Sequence, residues 1–289
     1  MGHLIYHVDT FTTERFRGNP AAVCVLQEPR EIAWMQCVAQ EMNLSETAFA
    51  WPEEGGFRLH FFTTTTEVKL SGHAALAAAH ILWQLDRARS TERLQLQTRL
   101  GPLTAVHCGT WIELDLPADP PEPMAPIPAL VQALGAYPCY LGRSRVDALY
   151  VIDSEKDLRA LEPDLDALRK LPFRGICVSC RSEDPRYDFL SRFFAPASGI
   201  DEDPVTGSAH CTLGPYWGER LGKTDMVAFQ ASSRGGTIRL KLDGDRVILK
   251  GEAVTVLRGD LLATGEFPCA PDMDQTIHIP SSEDDRGTA

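Results

Sequence analysis

Hydrophobic and polar positions along this chain alternate between two periods, and the order in which they do so recurs. LIYHVDTF and AAVCVL near the N-terminus read as strands, separated by the turn-prone Arg17-Gly18-Asn19-Pro20. Residues 31–42 switch to helical spacing, with Ile32, Met35, Val38, Ala39 and Met42 on one face. ETAFAW and GFRLHFF return to the strand period around an acidic Gly-Gly turn at 53–56. The Ala-rich stretch 72–86 predicts a buried helix with close neighbours, and RLQLQT, PLTAVHC and TWIELDL predict three further strands.

The pattern is then interrupted. Six prolines within 117–128 (PADPPEPMAPIP) exclude a helix interior or a central strand, so this dozen reads as a stiff, extended connector. It is the expected boundary between a domain over 1–117 and a second over 118–280, whose last strand can return to the first. Beyond it the plan recurs: a short helix, the strand DALYVID, a helical stretch over 155–170, the strands FRGICVSC and YDFLSRFFA, a helix opening at Gly207, and hairpins over about 226–267. Residues 281–289 are polar and are expected to form a flexible tail.

The recurrence is sharpest where chemistry is expected. FTTTTEVKLSGHAALAAAH begins at Phe62 and FAPASGIDEDPVTGSAHCTL at Phe194. Each is an apolar run, a polar loop, and a glycine opening a helix; Gly72 and Gly207 lie 135 positions apart. Free N–H groups at two helix starts make two anion sites. If the halves face each other, the two sites share a cleft suited to a small, carboxylate-bearing substrate.

Composition narrows the field. The 289 residues are 44% hydrophobic and 24% charged, as in ordinary globular proteins. A formal charge of −12 with no basic block argues against nucleic acid or an anionic membrane as partner. No apolar run reaches transmembrane length and no basic-then-apolar leader pattern is present, so a cytoplasmic protein is expected. Eight scattered cysteines, including Cys177 and Cys180 in a strand-like run, read as reduced thiols rather than a metal or redox site.

Three places set polar groups against apolar surroundings. Glu46 stands where a helix ends and an apolar strand begins; partial burial there raises a carboxyl pKa and suits it to acid/base work, although a helix-end glutamate can also be simply exposed. His73 follows Ser71 and Gly72 in the first turn of a helix, whose dipole disfavours imidazolium; packing at a domain surface is the plain alternative. Asp203 precedes Thr206, Gly207 and Ser208, where an acidic loop either compensates a helix dipole or receives a substrate amine while the Gly207 and Ser208 N–H groups hold a carboxylate. His210 lies two residues beyond Ser208, a spacing that points the side chains to different helix faces and argues against a nucleophile pair.

GNPAAVCVL (18–26), NLSETAF (43–49), SGHAALAAAH (71–80) and EDPVTGSAHC (202–211) together resemble the PhzF-like family of phenazine biosynthesis, within the diaminopimelate-epimerase fold superfamily. The resemblance implies an α+β fold of two similar, pseudo-symmetric domains, each a curved, mostly antiparallel sheet around a central helix. In the founding enzyme a glutamate moves a proton between carbons of trans-2,3-dihydro-3-hydroxyanthranilate. By motif, that glutamate corresponds to Glu46, and the family's histidine and aspartate to His73 and Asp203. Ser45, Ser71, Gly72, Thr206, Gly207 and Ser208 fall at the substrate-binding positions. No metal or organic cofactor is implied, and a homodimer is. The superfamily's racemases place a cysteine before each helix-opening glycine; here those residues are Ser71 and Thr206, and an alcohol cannot match a thiolate base. The chain also departs from the FTP-type start common among relatives: it reads Phe62-Thr63-Thr64-Thr65-Thr66, with Lys69 ahead of Ser71. The phenazine precursor is therefore not the expected substrate. A racemase or epimerase without thiols, or a member that only binds a metabolite or a protein, are the other readings.

Overall fold

The computed structural model describes residues 2–89 and 91–262. The expected tail at 281–289, the stretch 263–280 of the second domain and Cys269 lie outside the described residues.

The first half of the chain forms β1 (His3–Thr10), β2 (Asn19–Val25), α1 (Ile32–Met42), β3 (Glu46–Glu53), β4 (Gly56–Phe62), β5 (Glu67–Val68), α2 (Gly72–Gln84), β6 (Leu94–Thr98), β7 (Gly101–Cys108) and β8 (Trp111–Pro117). The second forms β9 (Glu122–Pro123), α3 (Pro128–Leu134), β10 (Tyr140–Arg143), β11 (Ala148–Val151), α4 (Glu155–Arg159), α5 (Leu165–Leu168), β12 (Ile176–Arg181), β13 (Phe189–Ala195), β14 (Ile200–Asp203), α6 (Gly207–Leu221), β15 (Asp225–Gln230), β16 (Gly236–Asp243), β17 (Arg246–Gly251) and β18 (Ala253–Leu261).

All eighteen strands of the described residues belong to one hydrogen-bonded sheet. Its order is β18-β1-β2-β3-β4-β6-β7-β8, then β17-β16-β15-β13-β12-β11-β10-β9, with β5 appended to β4 and β14 to β13. Read from its two ends, the sequence of pairings is the same. The parallel pairs β2–β3 and β4–β6 of one half match β11–β12 and β13–β15 of the other, and every remaining pair is antiparallel. The halves join where β8 pairs β17. The fold is thus α+β with two similar, pseudo-symmetric halves.

Each half wraps its sheet around one helix. Ala74, Ala75, Leu76, Ala77, Ala78, Ala79, Ile81 and Leu82 of α2 are all fully buried. A helix apolar on every side must be central, and its small side chains let β1, β2, β3 and β8 approach closely. In the second half α6 packs against β15, β16 and β17. Pro215 sits inside α6 and so leaves the Cys211 carbonyl without its helical donor. The Asp119 N–H of the proline-rich connector donates to that carbonyl at 2.9 Å, which stitches the connector to the helix.

Three local expectations change. The buried face of α1 holds Trp34, Met35, Val38 and Ala39, while Ile32 is exposed; the bulk of Trp34 against Phe49 turns the stripe. The helical stretch 155–170 is broken into α4 and α5, with Pro163 between them and Asp164 capping α5 through the Ala167 N–H. The connector is not wholly irregular, since Glu122–Pro123 pairs with β10 at the sheet edge, where proline is tolerated. Cys177 and Cys180 are buried in β12 and unbridged; burial raises both thiols, Cys180 to about 12. Among the described residues no helix is long and apolar enough to cross a membrane.

Candidate active site

The site is assembled from the starts of strands and helices in both halves. On the first side, α1 ends at Asn43, whose left-handed backbone (φ 49°) turns its N–H back to the Ala39 carbonyl at 3.1 Å. Asparagine adopts that conformation readily. The turn delivers Ser45 and then Glu46, the first residue of β3, to the N-terminus of α2. Ser71 is the N-cap of α2, its hydroxyl accepting from the Ala74 N–H. His73 lies in the first turn.

His73 is buried among three polar neighbours. Its Nδ1 is 3.3 Å from Ser71 Oγ. Its Nε2 is 3.1 Å from Glu46 Oε2 and 3.4 Å from Ser45 Oγ. The Glu46 contact is close but not aligned as a hydrogen bond, so among the described residues this buried carboxyl oxygen has no hydrogen-bond partner. Burial is the leading influence on both groups. It raises the Glu46 carboxyl to about 7, against the pull of the Ser45 hydroxyl and the Arg174 cation. It lowers His73, against the pull of Asp203. Desolvation therefore favours a neutral imidazole here, ahead of the helix dipole invoked from the sequence.

The second side contributes Asp203, the last residue of β14, also buried. Burial raises its carboxyl to about 6; His73 opposes this and Glu46 adds to it, which places the three ionisable groups in one electrostatic cluster. Thr206 is the N-cap of α6 and spends its hydroxyl on Asp203 rather than on the helix. The glycines that open the two helices meet: a Cβ added to Gly72 would lie 3.6 Å from Gly207 Cα, and the converse distance is the same. The first-turn N–H groups of α2 and α6 therefore converge.

Ser208 and His210 part company. Arg174 donates to Ser208 Oγ at 3.0 Å, while His210 Nδ1 lies 2.8 Å from the Thr206 carbonyl within α6. They form no nucleophile pair.

Three residues of the cluster are absent from the sequence-level site. Asn19 Nδ2 donates to Asp203 Oδ1 and to the Val205 carbonyl, both at 2.8 Å, and Asn19 Oδ1 accepts from Ser45 at 3.2 Å, so one buried amide links the halves. Gln230, fully buried, donates to the Asp203 carbonyl at 2.7 Å and accepts from the Thr206 N–H at 2.8 Å. Arg174 forks onto buried Asp147 and reaches Ser208. The available signals are a polar residue closing an apolar run, Gln230 in the strand DMVAFQ, and the place of Asn19 in GNPAAVCVL, a motif whose start otherwise reads as a turn. A surface cavity of about 530 Å³ lined by Leu134, Tyr137, Asp153 and Asp157 shares no residue with this cluster. Among the described residues no group of His, Cys, Asp and Glu is arranged to hold a metal ion.

Comparison with known proteins matches residues 8–259 to the family model described as phenazine biosynthesis-like protein. An uncharacterized isomerase of Halalkalibacterium halodurans is 53% identical over 259 residues, covering 89% of this chain and 98% of that protein. The crystal structure of a phenazine biosynthesis protein of the PhzF family from Enterococcus faecalis superposes with a TM-score of 0.86 at 38% identity, covering 90% of this chain and 99% of that one. A hydroxyproline epimerase from Agrobacterium vitis shares the fold alone, with a TM-score of 0.61 at 11% identity over 90% of this chain and 92% of the other.

Proposed function

Because this chain belongs to the phenazine biosynthesis-like protein family, we propose that it is a cofactor-independent isomerase that moves a proton on a small, carboxylate-bearing substrate held between its two halves. The isomerase names of its relatives support the reaction class. The observation that carries the mechanism is the buried Glu46 carboxyl, raised to about 7, with an unpartnered oxygen 3.1 Å from His73. A group that titrates near the working pH both accepts and returns a proton efficiently.

In this reading Glu46 takes a proton from one carbon of the substrate and returns it to another. Neutral His73, steadied by Ser71, hydrogen-bonds the substrate and polarises it. Asp203 receives an amine or hydroxyl. Backbone N–H groups at Gly72–His73 and Gly207–Ser208 stabilise the charge that develops, the fixed-dipole contribution that usually supplies much of a rate enhancement. Ser71 and Thr206 at the two N-cap positions favour this single-carboxyl design over a pair of thiolates. The same proposal includes a division into domains at 117/118, a homodimer and a cytoplasmic location.

The test is solvent deuterium entering candidate amino- and hydroxy-acids incubated with the protein in heavy water. Position-specific incorporation is expected for the substrate, and Glu46→Gln should reduce it by about 10²–10⁴-fold. Unreduced incorporation by that variant would remove Glu46 from the mechanism.

A further inference from the structure

The two halves treat equivalent places differently. In the first, Asn19 and Ser45, just ahead of the first paired residues of the parallel pair β2–β3, hydrogen-bond each other, and Ser45 reaches His73, the second residue of α2. In the second, the residues just ahead of the parallel pair β11–β12, Asp147 and Arg174, bond each other, and Arg174 reaches Ser208, the second residue of α6. Where the first half presents the acid Glu46 beside His73, the second presents a guanidinium beside Ser208.

That guanidinium is built to stay in place. Asp147 is buried and engages Arg174 Nε at 2.9 Å and Nη2 as well, the two-pronged geometry that fixes a guanidinium plane. Arg174 Nη2 also holds Ser208 Oγ, while Nη1 has no hydrogen-bond partner among the described residues. The side chain is 37% exposed, so the cation is reachable although its anchor is not. It is also near enough to the cluster to pull down the carboxyl of Glu46 electrostatically, and Asp203 and Glu46 in turn stabilise its charge. One carboxylate secures Arg174, and Nη1 stays available beside two acids, Glu46 and Asp203, that burial raises toward neutrality.

We propose that Arg174 is a specificity-determining residue, which takes the substrate's carboxylate on the side of the cleft opposite Glu46 and so selects acids over their uncharged amides. This rests on reading the cluster as the substrate site, but it concerns binding and is measured without turnover. The test follows the Arg174 Nε–H and Ser208 amide signals by nuclear magnetic resonance while acetate, benzoate and succinate, and their amides, are titrated in. At least one acid is expected to shift both signals while its amide does not. Asp147→Asn combined with Arg174→Gln, which leaves no unpaired buried carboxylate, should weaken that acid about tenfold or more, the loss of a charge-assisted hydrogen bond. Glu46→Gln should still show the acid-over-amide preference, so a failed proton-transfer role for Glu46 and a failed Arg174 assignment give different results. No response to any acid, equal responses to acid and amide, or undiminished binding by the double variant would overturn the assignment.

Discussion

Gly72 and Gly207 touch across the two halves: the position of a Cβ on either is 3.6 Å from the Cα of the other. That distance is ordinary van der Waals contact, so a methyl group has room, but it would also stand 3.9 Å from the Ser208 nitrogen, over a converging N–H donor. We expect Gly72→Ala to fold normally and to lose substrate affinity. Gly72→Val should in addition lose about 1–3 kcal/mol of stability by overpacking the helix contact. Denaturant midpoints and the deuterium assay on the two variants check both outcomes; equal stability of Ala and Val variants would show that the helices part easily.

Asn19 is the amide through which the first half holds Asp203 in the second. Asn19→Ala leaves a buried carboxylate and the Val205 carbonyl short of a donor, which should destabilise the protein by about 1.5–3 kcal/mol. It should also lower activity, because Asp203 loses its fixed position. A urea melt showing no loss would mean that the site is not clamped through this residue.

Glu46 also makes a prediction about pH and stability. Its folded value of about 7 lies above its ordinary 4.5, so between these limits the native state binds more protons than the unfolded chain. Stability from this group is present below pH 4.5 and is lost as pH rises toward 7. Asp203 acts in the same direction, and buried His210, lowered to about 4, in the opposite one. Glu46→Gln isolates one contribution: the variant should gain on the wild type as pH rises from 5 to 8, by on the order of 3 kcal/mol. Urea midpoints across that range measure it, and parallel curves would contradict it.

Thiols should be dispensable. Cys108 and Cys139 are exposed, whereas Cys24, Cys177, Cys180 and Cys211 are buried with raised pKa values. Alkylation of the native protein should modify the exposed pair and leave proton transfer intact. Stoichiometric loss of activity with a single modified cysteine would favour a thiol mechanism instead.

Much of this fold is legible in the sequence because period decides it. The strand from Gly56 to Phe62 alternates after a Gly turn, and the Ala-rich α2 is buried over most of its length, with no broad polar face to confuse its reading. Less legible are the two-residue strands β5 and β9, too short to carry a period, and the break between α4 and α5. The site divides in the same way. Glu46, His73 and Asp203 stand out because each is an ionisable residue at the edge of a strand or helix with apolar surroundings. Asn19, Gln230 and Arg174 act through partners 184, 27 and 34 positions away, and only the folded chain brings those pairs together.

The central claim is that burial turns the Glu46 carboxyl into a group that both takes and gives protons near neutrality. Site-resolved carbon-13 titration of that carboxyl measures this with no knowledge of the substrate. A midpoint near 7 is predicted; a midpoint at the ordinary 4.5 would contradict the account.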